Sequence, residues 1–398
     1  MVSSRTARQM AADSLKVAIV SEWVDSWRGG AETSTMQFVH HLVDNNVEVH
    51  LFTRRRPSPT PEMKVHTIGG AGMGRTRRTM TFTHRVDRML RNHHFDVIHA
   101  ISPCRSATLY QPRGGTVAET VERNIALRRT AAAKTLKRYA NRFNLKQRFM
   151  LRLEKEIMRD PDGPIVIALS EYVVRQLREH YQMPPERIRK IFNGVNPASA
   201  DEGTRSRNRR DIRREFAIGE GELMALIVAH NFRLKGVEDW MLVHRRLCSL
   251  EQPVKAVVVG KGDSQAWRQK ARQLGLDGHM LFAGPSDRVA AFRHAADFLV
   301  HLSYYDPCSR VVLEALNDGL PCIASAWDGA SELIIDGESG FVVPDPECHD
   351  QILRCVMTLA STEERKRVSE HAAQAAAACT MERHATEVLS LYKEMARR

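Results

Sequence analysis

The sequence predicts an α/β chain folded as two Rossmann-like, doubly wound parallel sheets, one after the other. Three observations carry that expectation. Its 398 residues exceed what one ordinary hydrophobic core serves. Short, continuously apolar runs alternate with amphipathic helical stretches, the pattern of parallel strands buried on both faces. That alternation breaks near residues 193–210 and then begins again.

In chain order, residues 16–21 (KVAIVS) read as the first strand, 31–44 as a helix and 47–53 (VEVHLFT) as the second strand. Residues 95–100, 107–110 and 165–169 (IVIAL) supply further strands. Ser170 then caps a helix to about Tyr181, with Glu171 beside the positive helix end. Asn193-Gly194-Val195-Asn196-Pro197 is turn chemistry and 198–210 is polar and small, which places the linker there. Beyond it, strands at 223–229, 254–259, 280–283, 298–302 and 321–325 alternate with helices from Gly236 and over 264–274, 287–296 and 309–316. Residues 350–398 are nearly all helix formers. The expected division is a polar disordered tail at 1–14, a first domain at 15–197 and a second at 198–380. Two such sheets in tandem predict a cleft with ligands at the strand carboxyl ends.

The net charge of +12 calls for an anionic partner: nucleic acid, a phospholipid surface or a phosphorylated substrate. Seven scattered cysteines without a C-x-x-C pair argue against a disulfide framework or metal site and fit a reducing cytoplasm. No apolar run approaches the roughly 20 residues of a membrane span. The N-terminal stretch lacks an apolar core, so no signal peptide is expected.

The strongest chemical signal is Asp306-Pro-Cys-Ser-Arg-Val-Val-Leu-Glu314, directly after a strand and opening a helix. Ser309 is the expected N-cap. It leaves N–H groups around Arg310 and Val311 as a diphosphate cradle, with the Arg310 guanidinium beside them. Glu314, further along the helix, is placed to accept hydrogen bonds from ribose hydroxyls. The bland reading of the pair is a capped helix bearing one surface acid. A dinucleotide-dependent oxidoreductase would need G-x-G-x-x-G after the first strand, and Glu22-Trp-Val-Asp-Ser-Trp-Arg-Gly-Gly30 does not supply it.

Residues 281–344 resemble the C-terminal half of glycosyltransferase family 4. In that family an acid, seven residues and a glutamate precede a Gly-Leu-Pro strand and a Gly…Glu…Asp-Gly…Gly run. Here Gly319-Leu320-Pro321, Gly329, Glu332, Asp336-Gly337 and Gly340 occupy those places. The resemblance implies the GT-B fold, transfer with retention of configuration, and a last helix (about 381–395) crossing back to the first domain. It assigns Glu314 to the donor ribose and Asp306, one methylene shorter than the usual glutamate, to the donor sugar hydroxyls. Cys308-Ser309-Arg310 replaces the usual glycine-phenylalanine-glycine. Lys235 matches the lysine that neutralises the donor diphosphate. His230 stands at the usual arginine position, and Arg233 is the expected substitute. Gly29-Gly30 matches the loop against donor phosphate and acceptor, and Gly260-Lys261-Gly262 the G-x-G beside the donor base. Read alone, either glycine pair is a tight turn. Arg113 stands where relatives place histidine or aspartate; it stays protonated, so it would assist the leaving phosphate or bind a phosphorylated acceptor. No metal or cofactor is expected, and a UDP-sugar is the favoured donor.

Residues 116–160 form a basic arm in which Leu136, Tyr139 and Phe143, then Phe149, Met150, Leu153 and Ile157, recur at helical spacing. An anionic bilayer surface or a nucleic-acid backbone fits such a helix, as does packing on its own domain with a solvated basic face. Gly115-Thr-Val-Ala-Glu-Thr-Val-Glu-Arg123, with His180-Tyr181-Gln182 and Pro185-Glu186-Arg187-Ile188, resembles the lipopolysaccharide-core glucosyltransferase branch. That resemblance implies a membrane-facing arm at the inner face of the cytoplasmic membrane and a glycan or glycolipid acceptor rather than nucleic acid. The rival class is a basic membrane- or nucleic-acid-binding protein on a degenerate transferase scaffold.

Overall fold

The computed structural model describes residues 15–24, 30–57, 63–69, 74–196, 200–262 and 264–397. The chain divides into two compact units, Met1–Gly194 with Met381–Arg398, and Val195–Thr380. The expected tail at 1–14 lies outside the described residues.

The first unit is built on β1 (Lys16–Val20), β2 (Glu48–Thr53), β3 (Lys64–Thr67), β4 (Val97–Ala100), β5 (Leu109–Tyr110), β6 (Ile165–Ala168) and β7 (Ile188–Lys190). They form one parallel sheet in the order β3-β2-β1-β4-β5-β6-β7. Strand β1 shows why its run is apolar throughout. Val17 and Ile19 join the core on one face, with Val49, Leu51 and Val97. Ala18 and Val20 join the core on the other, with Phe52 and Val166. The helices of this stretch are α1 (Gly30–Asp44), α2 (Arg75–Arg91), α3 (Val117–Ala126), α4 (Ala131–Phe143), α5 (Leu145–Arg159) and α6 (Glu171–Tyr181). Ser170 caps α6 as expected, its side chain accepting from Val173 N at 3.2 Å.

The second unit repeats the plan. Strands β8 (Leu223–Val228), β9 (Val254–Val259), β10 (Met280–Gly284), β11 (Phe298–His301), β12 (Cys322–Ser325) and β13 (Phe341–Val343) form a parallel sheet ordered β10-β9-β8-β11-β12-β13. Helices α7 (Glu202–Glu215), α8 (Val237–Ser249), α9 (Ser264–Gln273), α10 (Val289–Ala295), α11 (Arg310–Asn317), α12 (His349–Ala360) and α13 (Thr362–Ala376) flank it. The last helix, α14 (Met381–Ala396), returns to the first unit. Its Met381, Ala385, Val388, Leu391 and Tyr392 recur at helical spacing and pack on Phe38, Val39 and Leu42 of α1. Each large apolar side chain buried there contributes about 1.5–3 kcal/mol.

Two readings of the sequence need correction. The polar stretch taken as linker is largely the helix α7. Asp201 caps it by accepting from Thr204 N at 2.7 Å, and Arg209 and Arg213 anchor it on Asp297 at 2.8 and 3.1 Å. A helix held by ion pairs rather than an apolar stripe leaves little periodic signal. The arm, in turn, is three helices rather than one, and its apolar residues divide. Leu153 and Ile157 of α5 are buried, whereas no residue of α4 is. Strands β3, β7 and β13 and helix α2 were not anticipated; the strands have three or four residues, too few to show a period. Among the described residues no helix is long and apolar enough to cross a membrane.

Candidate active site

In a doubly wound sheet, ligands bind outside the strand carboxyl ends where the strand order reverses. In the second unit that point lies between β8 and β11, and the turns after those strands are locked together. Gly236 closes the β8 turn in the left-handed region (φ 63°), and a Cβ there would stand 2.2 Å from the Leu302 carbonyl oxygen. Tyr304 N donates to Leu234 O at 2.9 Å. This interlock sets Lys235 over the β11 turn. Its Nζ donates to Asp306 Oδ2 and, at 3.3 Å, to Ser303 Oγ, and lies 3.5 Å from His301 Nε2.

The loop after β12 holds Asp306 from the other side. Asp306 N donates to Trp327 O at 2.9 Å, and Gly329 N donates to Asp306 O at 3.0 Å. Between them sits Asp328, 1 % exposed, with Oδ2 3.5 Å from His301 Nε2. Burial, then the neighbouring Asp306 charge, pushes the Asp328 carboxyl well above the usual carboxylate range. Burial would push Asp306 the same way, but the Lys235 ammonium, with His301, holds it below that range. Burial, then Lys235, keeps His301 below its ordinary value. The site therefore presents one Lys–Asp ion pair resting on groups that burial drives toward neutrality. Sequence reasoning missed His301 and Asp328. The available signal was a histidine ending the apolar strand FLVH and an aspartate directly before Gly329.

Helix α11 starts beside this pair, but differently from the expectation. The Ser309 side chain makes no cap bond, and its N–H is already taken by Asp328 Oδ1 at 2.9 Å. The Ser309 N–H is thus not a free donor. The Arg310 guanidinium, expected beside the diphosphate cradle, donates from Nη2 to Glu314 Oε1 at 2.9 Å. Arg293 holds the other oxygen, Oε2, at 2.9 Å. Glu314 is therefore fixed between two guanidiniums.

Arg233 stands exposed on the β8 turn with Lys235. Gly260 and Gly262 are demanded by close approach. A Cβ on Gly260 (φ 140°) would lie 1.7 Å from Ala229 O, and one on Gly262 would lie 2.2 Å from the Phe232 ring. Replacing Gly260 with alanine is expected to cost about 3 kcal/mol, from strain plus overpacking. Urea unfolding reads this directly, and a loss under about 1 kcal/mol would show that the β8 turn yields.

The remaining candidates lie in the first unit. Gly30 opens α1, and Gly29 lies outside the described residues. Arg113, expected to assist the leaving phosphate or bind a phosphorylated acceptor, is 5 % exposed and bonded within the first unit. Its Nε donates to Gln111 Oε1 at 3.1 Å, Nη1 to Ser34 Oγ at 2.5 Å, and Nη2 lies 3.3 Å from His384 Nε2. His384 Nδ1 lies 2.9 Å from Phe192 O, a carbonyl that can only accept, so Nδ1 carries the proton and Nε2 accepts. Burial, then Arg113, pushes His384 down to about 3, in keeping with that neutral tautomer. Since His384 belongs to α14, Arg113 fastens the returning helix to its own unit.

The comparisons bear on both units. The profile described as Glycosyltransferase Family 4 matches residues 28–199, and that described as Glycosyl transferases group 1 matches residues 208–375. The chain belongs to glycosyltransferase family 4. This family 4 transferase is 27% identical over 191 residues to the lipopolysaccharide glucosyltransferase WaaG of Escherichia coli (strain K12), covering 47% of this chain and 50% of that one. It is 23% identical to the spore coat protein SA of Bacillus subtilis (strain 168), over 96% of this chain and all of the relative. The first curated relatives are thus matched over about half their length. The crystal structure of WaaG, a glycosyltransferase involved in lipopolysaccharide biosynthesis, superposes with a TM-score of 0.79 at 19% identity, covering 94% of this chain and 99% of that one. Anabaena Alr3699/HepE in complex with UDP-glucose superposes with a TM-score of 0.68 at 16% identity, covering 94% and 99%. The transferase therefore has the GT-B pair of Rossmann-like domains.

Proposed function

We propose that this transferase moves a hexosyl group from a nucleotide-diphosphate sugar, a UDP-sugar foremost, to a membrane-associated glycan or glycolipid, retaining the anomeric configuration and needing no metal. The observation that carries this is Lys235 Nζ on Asp306, where the strand order reverses and beside the first turn of α11. A leaving nucleoside diphosphate needs positive charge as its bond to the sugar breaks. Lys235, Arg233 and the helix end supply it, which makes a metal dispensable. Asp306 is positioned by two backbone bonds to accept from the sugar hydroxyls, and Glu314 to accept from the ribose.

In the proposed step the bond from the anomeric carbon to the diphosphate oxygen breaks as the bond to the acceptor oxygen forms on the same face. The acceptor's proton passes to the departing phosphate oxygen, so no protein base is required. Arg113, bonded inside the first unit, acts as a positioning residue for α14 rather than on the phosphate. The bound UDP-glucose of Alr3699/HepE and the glucosyltransferase name of WaaG support this choice of donor and acceptor class.

The membrane half rests on α4. Leu136, Tyr139 and Phe143 are 71%, 57% and 83% exposed on one helical face, with Leu145 at 65% just beyond. Lys134, Lys137, Arg138 and Arg142 are interleaved with them. An amphipathic helix that turns its apolar face away from its own protein suits an anionic bilayer at the inner face of the cytoplasmic membrane.

A thermal-shift series with UDP-, GDP- and ADP-sugars on wild type and Glu314→Ala tests the donor. One UDP-sugar is expected to raise the wild-type midpoint and to lose most of that shift in the variant. No response to any donor, with vesicle binding retained, would instead favour a membrane-binding protein on a degenerate scaffold.

A further inference from the structure

A second concavity of the second unit lies at the opposite, amino ends of its strands, where Asp297 precedes β11 and Pro321 precedes β12. Its volume is about 560 Å³, room for a phosphorylated small molecule. Five cationic side chains and three carboxylates line it. Three of the cations are answered: Arg209 by Asp297 at 2.8 Å, and Arg205 and Arg293 by Asp318 at 3.6 and 2.6 Å. Two are not. Arg365 donates to the carbonyls of Leu359 and Ala360 and to the Thr362 hydroxyl, and Lys366 has no ion-pair partner among the described residues. The third carboxylate, Glu202, accepts from Ser206 Oγ at 3.3 Å. Thr362, also lining the cavity, is the first residue of α13, whose positive end is offset by Glu363 and Glu364 in its first turn, so the surplus rests on Arg365 and Lys366.

This cavity is wired to the candidate active site through one side chain. Arg293 Nε bonds Asp318 Oδ2 at 2.6 Å, and its Nη1 bonds Glu314 Oε2 at 2.9 Å. We propose that the cavity is an effector site for a phosphate-bearing small molecule, and that Arg293 reports its occupancy to Glu314. A phosphate dianion held by Arg365 and Lys366 competes with Glu314 for Arg293. A Glu314 carboxylate relieved of that partner accepts ribose hydroxyls more readily, so the effector tightens nucleotide binding. The coupling rests on the reading of Glu314 as a donor contact; the anion site does not.

Calorimetric titration with inorganic pyrophosphate tests the site in Lys235→Ala, where the donor cradle is disabled. Binding is expected to persist there and to weaken about tenfold or more when Arg365→Gln and Lys366→Gln are added. Binding abolished by Lys235→Ala alone, and untouched by the glutamine pair, would overturn the site. Unchanged thermal midpoints verify folding, and Lys366→Glu by itself is a second variant that alters only an exposed side chain. For the coupling, UDP affinity is measured with and without pyrophosphate in wild type and in Arg365→Gln/Lys366→Gln. Competition at the donor cradle is common to both proteins, so their difference reads the cavity. A tightening of about fivefold in wild type relative to the variant is expected. Identical ratios would overturn the coupling and leave the anion site standing. If neither protein binds UDP, the donor reading fails while the pyrophosphate titration still judges the cavity.

Discussion

Alanine at Lys235 is expected to lower kcat by about 10²–10³-fold with the second unit still folded. The ammonium is partly exposed on the β8 turn and touches Asp306 and Ser303, so its loss opens no core cavity. What it removes is the charge that meets the developing negative charge on the leaving diphosphate. A second effect follows from Asp306. Lys235 holds that carboxyl below the usual range against burial, which acts upward. A depressed carboxyl contributes stability above its unfolded pKa, and that contribution is lost as pH falls through the folded value. Without Lys235 burial prevails and Asp306 moves upward, so the variant should lose more stability at pH 7 than at pH 5, because Asp306 is ionised in wild type at both. Steady-state kinetics at saturating donor, with urea unfolding at pH 5 and pH 7, read both effects. Turnover within a few fold of wild type would remove Lys235 from the chemistry.

The next largest effect is expected at the arm. Serine at Leu136, Tyr139 and Phe143 together should weaken binding to phosphatidylglycerol-containing vesicles by about a hundredfold. Because α4 buries none of its residues, the variant should keep the wild-type unfolding midpoint. The exposed basic residues predict that wild-type binding falls with salt and with removal of the anionic lipid. Vesicle co-sedimentation of both proteins at two salt concentrations separates the apolar from the electrostatic share. Equal binding by the two proteins would take the apolar face out of the interaction. Salt-sensitive DNA binding that ignores the serine substitutions would assign the arm to nucleic acid instead.

The arm shows how far a pattern reaches. Periodicity marks Leu136, Phe143, Leu153 and Ile157 alike as one helical stripe, yet the first two are exposed and the last two buried. Which side of an amphipathic helix meets the protein depends on where Asn144 breaks the chain between α4 and α5, and on what α5 finds to pack against. Arg113 carries the same lesson in reverse. Its sequence position suggested a cation at the leaving phosphate or a phosphorylated acceptor, while its surroundings, Ser34, Gln111 and His384, come from segments up to 271 residues away.

The alternation of apolar runs and helix formers was sufficient by itself to specify two parallel sheets, because strands buried on both faces are predominantly apolar and so announce themselves locally, buried polar exceptions such as His50, His99 and His301 notwithstanding. Asp306 and Glu314 stood out because they open the turn and helix after a strand end, where sheet topology delivers loops to one edge, whereas Lys235 was singled out through the resemblance to family 4. Tertiary structure alone decided what those residues touch. Asp328 bound the Ser309 N–H while the Ser309 side chain made no cap bond, and Arg293 and Arg310 closed on Glu314. His301 and Asp328 were brought beneath Lys235 by burial at long range. Contacts between distant segments leave no period in the chain, and the charge state of a buried group depends on neighbours that only the folded chain supplies.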